Sequence, residues 1–218
     1  MKVTPKRLQR KLRKYKVPVK YVSGWDSSRI DPYNGSSDFK GIVLHHTAGR
    51  NSLGWVTTGN PYAPVRACHF LVDHDGTVRV VSGVGAYHAG RGGPWRFTKK
   101  DVIPRDAGNR FLYGIEIESL GTKSAIDGSP EGMSVAQVTS TALLCVALLD
   151  AMRRGPWLYR VGRIIRHRDW APGRKNDVRQ DLTWWRTVVA IARRNRKDPK
   201  LARDMVKDFI ADHPKGRL

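Results

Sequence analysis

The sequence predicts a single α/β domain, a mixed, twisted central β-sheet of about five or six strands flanked by helices. Three observations lead there. Gly41–His46 has the continuous Ile/Val/Leu character of a strand buried on both faces, and Val161–His167 is another short apolar run. Two β-rich runs, Cys68–Asp73 and Thr77–Ser82, flank His74-Asp75-Gly76, where Asp-Gly supplies the positive φ of a tight hairpin. A long stretch of helical apolar spacing, Ser134–Arg154, separates the later strands and predicts a helix laid on the sheet.

Taken in order, Met1–Lys20 carries nine Lys/Arg and no acid, with Leu8, Leu12 and Tyr15 at helical spacing until Pro18. It predicts a short basic amphipathic helix. Val22–Lys40 is rich in Ser, Gly, Asp and Pro and predicts a loop leading into Gly41–His46, the first core strand, which ends in two histidines. After the hairpin, Tyr113–Ser119 (YGIEIES) alternates apolar and polar residues as a sheet strand does. The following helix opens on Ser134 with Gln137, a capping-box pair, and Gly155-Pro156 ends it. Val161–His167 is the next strand, again ending in histidine. Two more helices are expected at Leu182–Arg194 and Leu201–Ala211, separated by Lys197-Asp198-Pro199.

The organisation expected is a basic segment 1–21, a catalytic domain 22–180 and a basic helical extension 181–218 packed on or following it. At 218 residues there is chain for one core and short appendages. Its 40% hydrophobic and 27% charged residues, with seven Trp and seven Tyr, argue against disorder. The longest apolar run, Ala142–Leu149, falls far short of the roughly 20 residues of a membrane helix, so no span is expected. Met1–Lys20 lacks the apolar stretch of a secretory signal, which predicts synthesis and residence in the cytoplasm without a signal peptide. Cys68 and Cys145 are expected to be two free, buried thiols.

A formal net charge of +21 requires polyanionic surroundings, because self-repulsion of that size opposes compactness. Nucleic acid, anionic lipid and cell-wall polymer all qualify by charge alone. No recognisable wall-binding repeat follows residue 180.

Hydrolytic zinc sites use three protein ligands and leave a fourth position for water, which directs attention to His and carboxylate at strand ends. His45 ends one strand, His167 ends another, and Asp177 lies in the Gly/Pro-containing loop that follows. Such a loop can fold back to bring His167 and Asp177 together. Spacing alone leaves the arrangement open, since an isolated His is more often a core or surface residue.

The ordered segments LHHTAG at 44–49, ACHFLVDHDGTVRVV at 67–81, AYHAG at 86–90, YGIEIES at 113–119 and RHRDWAPGRKNDV at 166–178 resemble the zinc-dependent N-acetylmuramoyl-L-alanine amidases of the type 2 amidase and peptidoglycan-recognition superfamily. The resemblance implies one Zn2+ held by His45, His167 and Asp177. It further implies Glu116 as general base and Lys175 as the electrostatic partner of a developing oxyanion. Some members place a catalytic Tyr where this chain has Cys68, a departure that fits the Glu-using branch. His46 and His69 stay outside the ligand set, His46 because a regular strand turns it to the opposite face. His88 of AYHAG and Trp170, between the two late ligands, are candidate substrate-binding residues. Glu118 lines the same cleft or faces solvent.

The implied activity is hydrolysis of the bond between N-acetylmuramic acid and L-alanine in bacterial peptidoglycan. Charge and size suggest a monomeric phage endolysin, held in the host cytoplasm until lysis and then acting on the wall, with anionic wall polymers attracted by charge and no specific nucleic acid. The alternatives are a cytoplasmic muropeptide-recycling amidase and a non-catalytic peptidoglycan-binding protein.

Overall fold

The computed structural model describes residues 3–27, 38–59, 61, 65–152 and 160–218. The elements run α1 (Pro5–Lys14), β1 (Val19–Tyr21), β2 (Gly41–His46), α2 (Leu53–Thr58), β3 (Phe70–Val72), β4 (Val78–Val80), β5 (Trp95–Arg96), β6 (Val102–Ile103), α3 (Gly108–Phe111), β7 (Leu112–Ile117), α4 (Val135–Met152), β8 (Ile164–Arg166), α5 (His167–Trp170), α6 (Leu182–Arg194) and α7 (Pro199–Asp212). A 3-10 turn over Val161–Arg163 precedes β8. Among the described residues, six strands form one mixed sheet in the order β1-β4-β3-β7-β2-β8, and β5 pairs with β6 separately. Only β3 and β4 of the large sheet are antiparallel, joined by the expected hairpin with Gly76 at φ 84°.

The expected strand Gly41–His46 is β2, flanked on both sides by parallel neighbours, β7 and β8. Central position explains its unbroken apolar run. The YGIEIES strand is β7, and all six of its residues are buried, so its alternation separates two covered faces and not core from solvent. Ile42, Leu44, Phe70, Val72, Tyr113, Ile115 and Ile117 share one face and join the main core with α4. Val43, Leu112 and Ile165, on the other face, pack with Trp170 and Ala89 in a smaller cluster.

Helix α4 begins as expected. Ser134 N–H donates to Gln137 Oε1 at 2.9 Å and Gln137 N–H donates to Ser134 Oγ at 3.0 Å, a reciprocal cap. Gln137 also donates from Nε2 to the carbonyls of Val72 (3.3 Å) and Glu118 (2.7 Å), tying the helix start to the ends of β3 and β7. The expected stop at Gly155-Pro156 lies outside the described residues, as does residues 28–37 of the expected loop. By length and composition α4, with mean hydropathy 1.7, could cross a membrane, but 83% of it is buried inside the domain.

The basic ends supply part of this core. Leu8, Leu12 and Tyr15 of α1, Trp184, Trp185, Val188 and Val189 of α6, and Val206 and Ile210 of α7 all belong to the main cluster. Asp150 of α4 fixes α1: it accepts from Lys11 Nζ at 2.7 Å and from the Tyr15 hydroxyl at 2.9 Å. Thr4 caps α1, and Asp198 caps α7 by accepting from the N–H groups of Lys200 and Leu201. Cys68 and Cys145 are free and buried.

Candidate metal centre

Parallel pairing puts His45 of β2 directly beside Glu116 of β7, so both side chains leave the same face of the sheet, opposite α4. His167 arrives from the end of β8. It does not end the strand, as expected from the apolar run, but opens α5, where Arg166 and Asp169 pair across the turn at 2.7 Å. The loop after α5 then returns, and Arg168 N–H donates to the Asp177 carbonyl at 2.7 Å, closing it and bringing Asp177 back to His167.

His45 Nδ1 lies 2.8 Å from His167 Nδ1 and 3.3 Å from Asp177 Oδ2, and His167 Nδ1 lies 3.0 Å from the same oxygen. All three residues are buried. Their outer ring nitrogens decide what can occupy this triangle. His167 Nε2 faces the Ala89 carbonyl at 3.0 Å, which can only accept, so the proton sits on Nε2. His88 Nε2 likewise donates to the Leu112 carbonyl at 3.0 Å, leaving His88 Nδ1 to accept from His45 Nε2–H at 3.2 Å. Both Nδ1 atoms therefore present lone pairs to each other and to a carboxylate oxygen. Three such lone-pair donors facing one another suit a cation at their centre. Zinc bonds of about 2.0–2.2 Å about a tetrahedral centre separate ligand atoms by roughly 3.3–3.6 Å, so the His45–His167 pair needs to open by about half an ångström or slightly more and the two contacts with Asp177 by less.

The electrostatics agree with a ligand role. Burial, then the neighbouring His167, pushes His45 down to about 4, so its ring is neutral at pH 7. Burial would raise the Asp177 carboxyl, but the contacts with His167 and His45 overcome it and hold the group well below the usual carboxylate range. Glu116 Oε1 stands 4.0 Å from His45 Nδ1, and its buried Oε2 has no hydrogen-bond partner. Burial first, and the Asp177 charge second, push Glu116 up to about 8, against the pull of Lys175. Lys175 is exposed on the wall of a cleft of about 1100 Å³ that also includes Glu116, His167 and Asp177.

Other residues sort themselves by contact. Glu118 neither lines the cleft nor meets solvent: it is buried and accepts from Ser52 N–H at 2.8 Å, holding the start of α2. His69 is fully buried; its Nδ1 accepts from Gly114 N–H at 3.0 Å. His46 rests over Gly121, where an added Cβ would meet its ring at 2.2 Å. His88 borders the cleft, yet both ring nitrogens are committed to the protein, which turns it from substrate towards His45.

Trp170 is a correction. It is fully buried among Val43, Ala89, Ile103 and Ile165, so it supports the cleft from behind and offers no surface to a ligand. Gly92, Gly93 and Gly108 make room for it, each lying where a Cβ would come within 3 Å of the indole. Among the described residues, the exposed aromatic lining the cleft is Trp55 of α2, 44% exposed, which sequence reasoning missed. Asn109 was missed too: its Oδ1 accepts from the N–H groups of His88 (2.9 Å) and Ala89 (2.7 Å). Neither had a signal in spacing; Trp55 sits in a short helix whose only buried residue is Val56, a hint that the Trp faces outward.

A family model described as N-acetylmuramoyl-L-alanine amidase matches residues 35–180, a span that takes in every strand of the large sheet except β1 and every residue of the triangle. No curated protein matches the chain. Among solved structures, that of AmpDH3 from Pseudomonas aeruginosa in complex with anhydromuramic pentapeptide is similar at 24% identity and a TM-score of 0.48, over 70% of this chain. The chain spans 59% of the length of that protein.

Proposed function

The chain belongs to the N-acetylmuramoyl-L-alanine amidase family, and from that premise we propose that it hydrolyses the amide joining N-acetylmuramic acid to L-alanine in peptidoglycan. The observation that carries this is the convergence of two imidazole lone pairs and a carboxylate beside a buried, partnerless carboxyl oxygen of Glu116. His45, His167 and Asp177 would hold zinc, which when bound polarises a carbonyl and acidifies water. Glu116 takes the water proton at Oε2 and passes it to the departing amide nitrogen. Beside a bound zinc, Glu116 would be drawn towards its ionised form, the state that can take the proton, while burial of the carboxyl favours holding that proton until the amide nitrogen leaves. Lys175 extends its ammonium into the cleft and stabilises negative charge growing on the carbonyl oxygen. Trp55 offers its exposed face to a sugar ring.

The net charge of +21 supports an insoluble polyanionic substrate over small soluble fragments, which diffuse to an enzyme unaided. Exposed Lys6, Arg10, Arg13 and Lys14 of α1 lie on the α4 side of the sheet, so they attract a surface without occupying the cleft. We read the protein as a phage lysis enzyme, a monomer that waits in the host cytoplasm and acts on the wall. Purified protein incubated with intact sacculi and, separately, with soluble anhydromuropeptides, with and without a chelator, tests this by mass spectrometry of new termini. Zinc-dependent release of L-alanine amino termini from sacculi, weakened by salt, is expected. Preference for soluble fragments would replace lysis by muropeptide recycling, and no release from either substrate would remove the amidase reading. In the same assay His167→Ala loses both zinc and activity, whereas Glu116→Ala keeps zinc and loses activity.

A further inference from the structure

His88 and Ala89 touch both imidazoles of the triangle. The His88 ring accepts from His45 Nε2–H at 3.2 Å, and the Ala89 carbonyl accepts from His167 Nε2–H at 3.0 Å. One side-chain oxygen, Asn109 Oδ1, grips the backbone N–H of both residues, at 2.9 and 2.7 Å. The far end of the His88 ring is anchored by the Leu112 carbonyl at 3.0 Å, and Arg174 Nη2 donates to the Ala89 carbonyl at 3.1 Å. The ring lies against Gly114 of β7, where an added Cβ would meet His88 Cγ at 2.3 Å.

We propose that the His88–Ala89 pair, clamped by Asn109, is the device that orients both imidazole ligands, with His88 a positioning residue that sets metal affinity and not a substrate contact. The reason is tautomeric. His45 can offer Nδ1 to a metal only with its proton on Nε2, and a buried Nε2–H requires an acceptor. His88 is that acceptor, and it can accept at Nδ1 because the Leu112 carbonyl claims the proton on its own Nε2. The chain of bonds from Leu112 through His88 to His45 thus has one consistent direction. Asn109 makes the two ligand rings dependent on one another: release of its oxygen frees the partner of His45 and the partner of His167 together.

The inference rests on His45 and His167 being metal ligands, and its test reads metal and not turnover. Zinc affinity of the full chain is measured by competition with a chromophoric chelator. His88→Ala and Asn109→Ala are each expected to bind zinc about 10–100-fold more weakly. His88→Gln should recover most of the loss, because its amide oxygen accepts from His45 while its NH2 reaches the Leu112 carbonyl; a residue that merely fills space gains nothing from that change. Nitrogen-15 NMR of the zinc-loaded wild-type rings should show protons on Nε2 of both His45 and His88, a readout that needs no variant to fold. Wild-type affinity in His88→Ala, no rescue by Gln, or a proton on His88 Nδ1 would overturn the proposal. Undiminished zinc binding by His167→Ala would instead sink the ligand assignment beneath it.

Discussion

Replacing Glu116 by Gln should make the metal-free protein more stable at neutral pH while removing its proposed catalytic base. Glu116 is 9% exposed, its Oε2 lacks a partner, and its pKa rises from 4.5 to about 8, burial being the larger cause and Asp177 the second. A group whose folded pKa lies above its unfolded value contributes stability that is full below pH 4.5 and lost as pH climbs through 8. At pH 7 the unfolded chain releases this proton and the folded one largely keeps it. About 2.5 pH units at 1.36 kcal/mol each give a loss of roughly 3 kcal/mol for the wild type. Gln mimics the protonated acid and carries no such loss. Urea unfolding of chelator-treated proteins should therefore show Glu116→Gln more stable by about 3 kcal/mol at pH 7, a midpoint higher by on the order of 1–2 M. The gap should fall to about half a kcal/mol at pH 4.5. The titration of His69, whose lowered pKa comes from burial and His45 and not from Glu116, is common to both proteins and cancels in the difference. Zinc should narrow the gap at pH 7, because a nearby cation favours the charged carboxylate. A stability difference that is the same at both pH values would refute the claim that the fold opposes ionisation of this group.

Trp170→Ala, by emptying a fully buried indole site, should cost about 3–5 kcal/mol in chemical denaturation, with any effect on turnover following from that loss. Trp55→Ala should leave the denaturation midpoint within about 0.5 kcal/mol of wild type and raise KM on peptidoglycan fragments; a change confined to kcat would deny it a binding role. Lys175→Ala removes an exposed cation and should lower kcat on the order of 100-fold without moving thermal stability, and a variant with normal kcat would exclude Lys175 from oxyanion stabilisation.

Much of the fold was legible because its signals are local. The unbroken apolar run of β2 marks a central strand, Asp75-Gly76 marks a hairpin, and Ser134 with Gln137 marks a helix start, since each depends on residues within a few positions. The motif matches likewise singled out His45, His167 and Asp177, which the structure places within 4.8 Å of one another. What escaped depends on partners far away in sequence. Trp170, amid Arg, Asp and Pro, reads as a loop aromatic; only the absence of side chains at Gly92, Gly93 and Gly108 creates the space that swallows it. The role of His88 required the register that lays Gly114 beneath its ring, and Asn109 lies 20 and 21 residues from the amides it holds. His167 was expected to end a strand, but a capping pair in Arg166 and Asp169 starts a helix there, and three-residue β8 is too short for periodicity to locate its end.

The burial of α4 bears on any attempt to shorten this chain. Its basic ends look dispensable, as charged tails often are, and trimming them is the obvious way to make a less sticky reagent. Yet Leu12 and Tyr15 of α1 and Trp184, Trp185 and Val188 of α6 lie in the same cluster as α4. Removing either end would unroof an 18-residue helix of mean hydropathy 1.7. A truncated protein would then exchange excess charge for an apolar surface that drives self-association. Charge is better reduced one exposed residue at a time, at positions such as Lys6 or Arg10, leaving the roof in place.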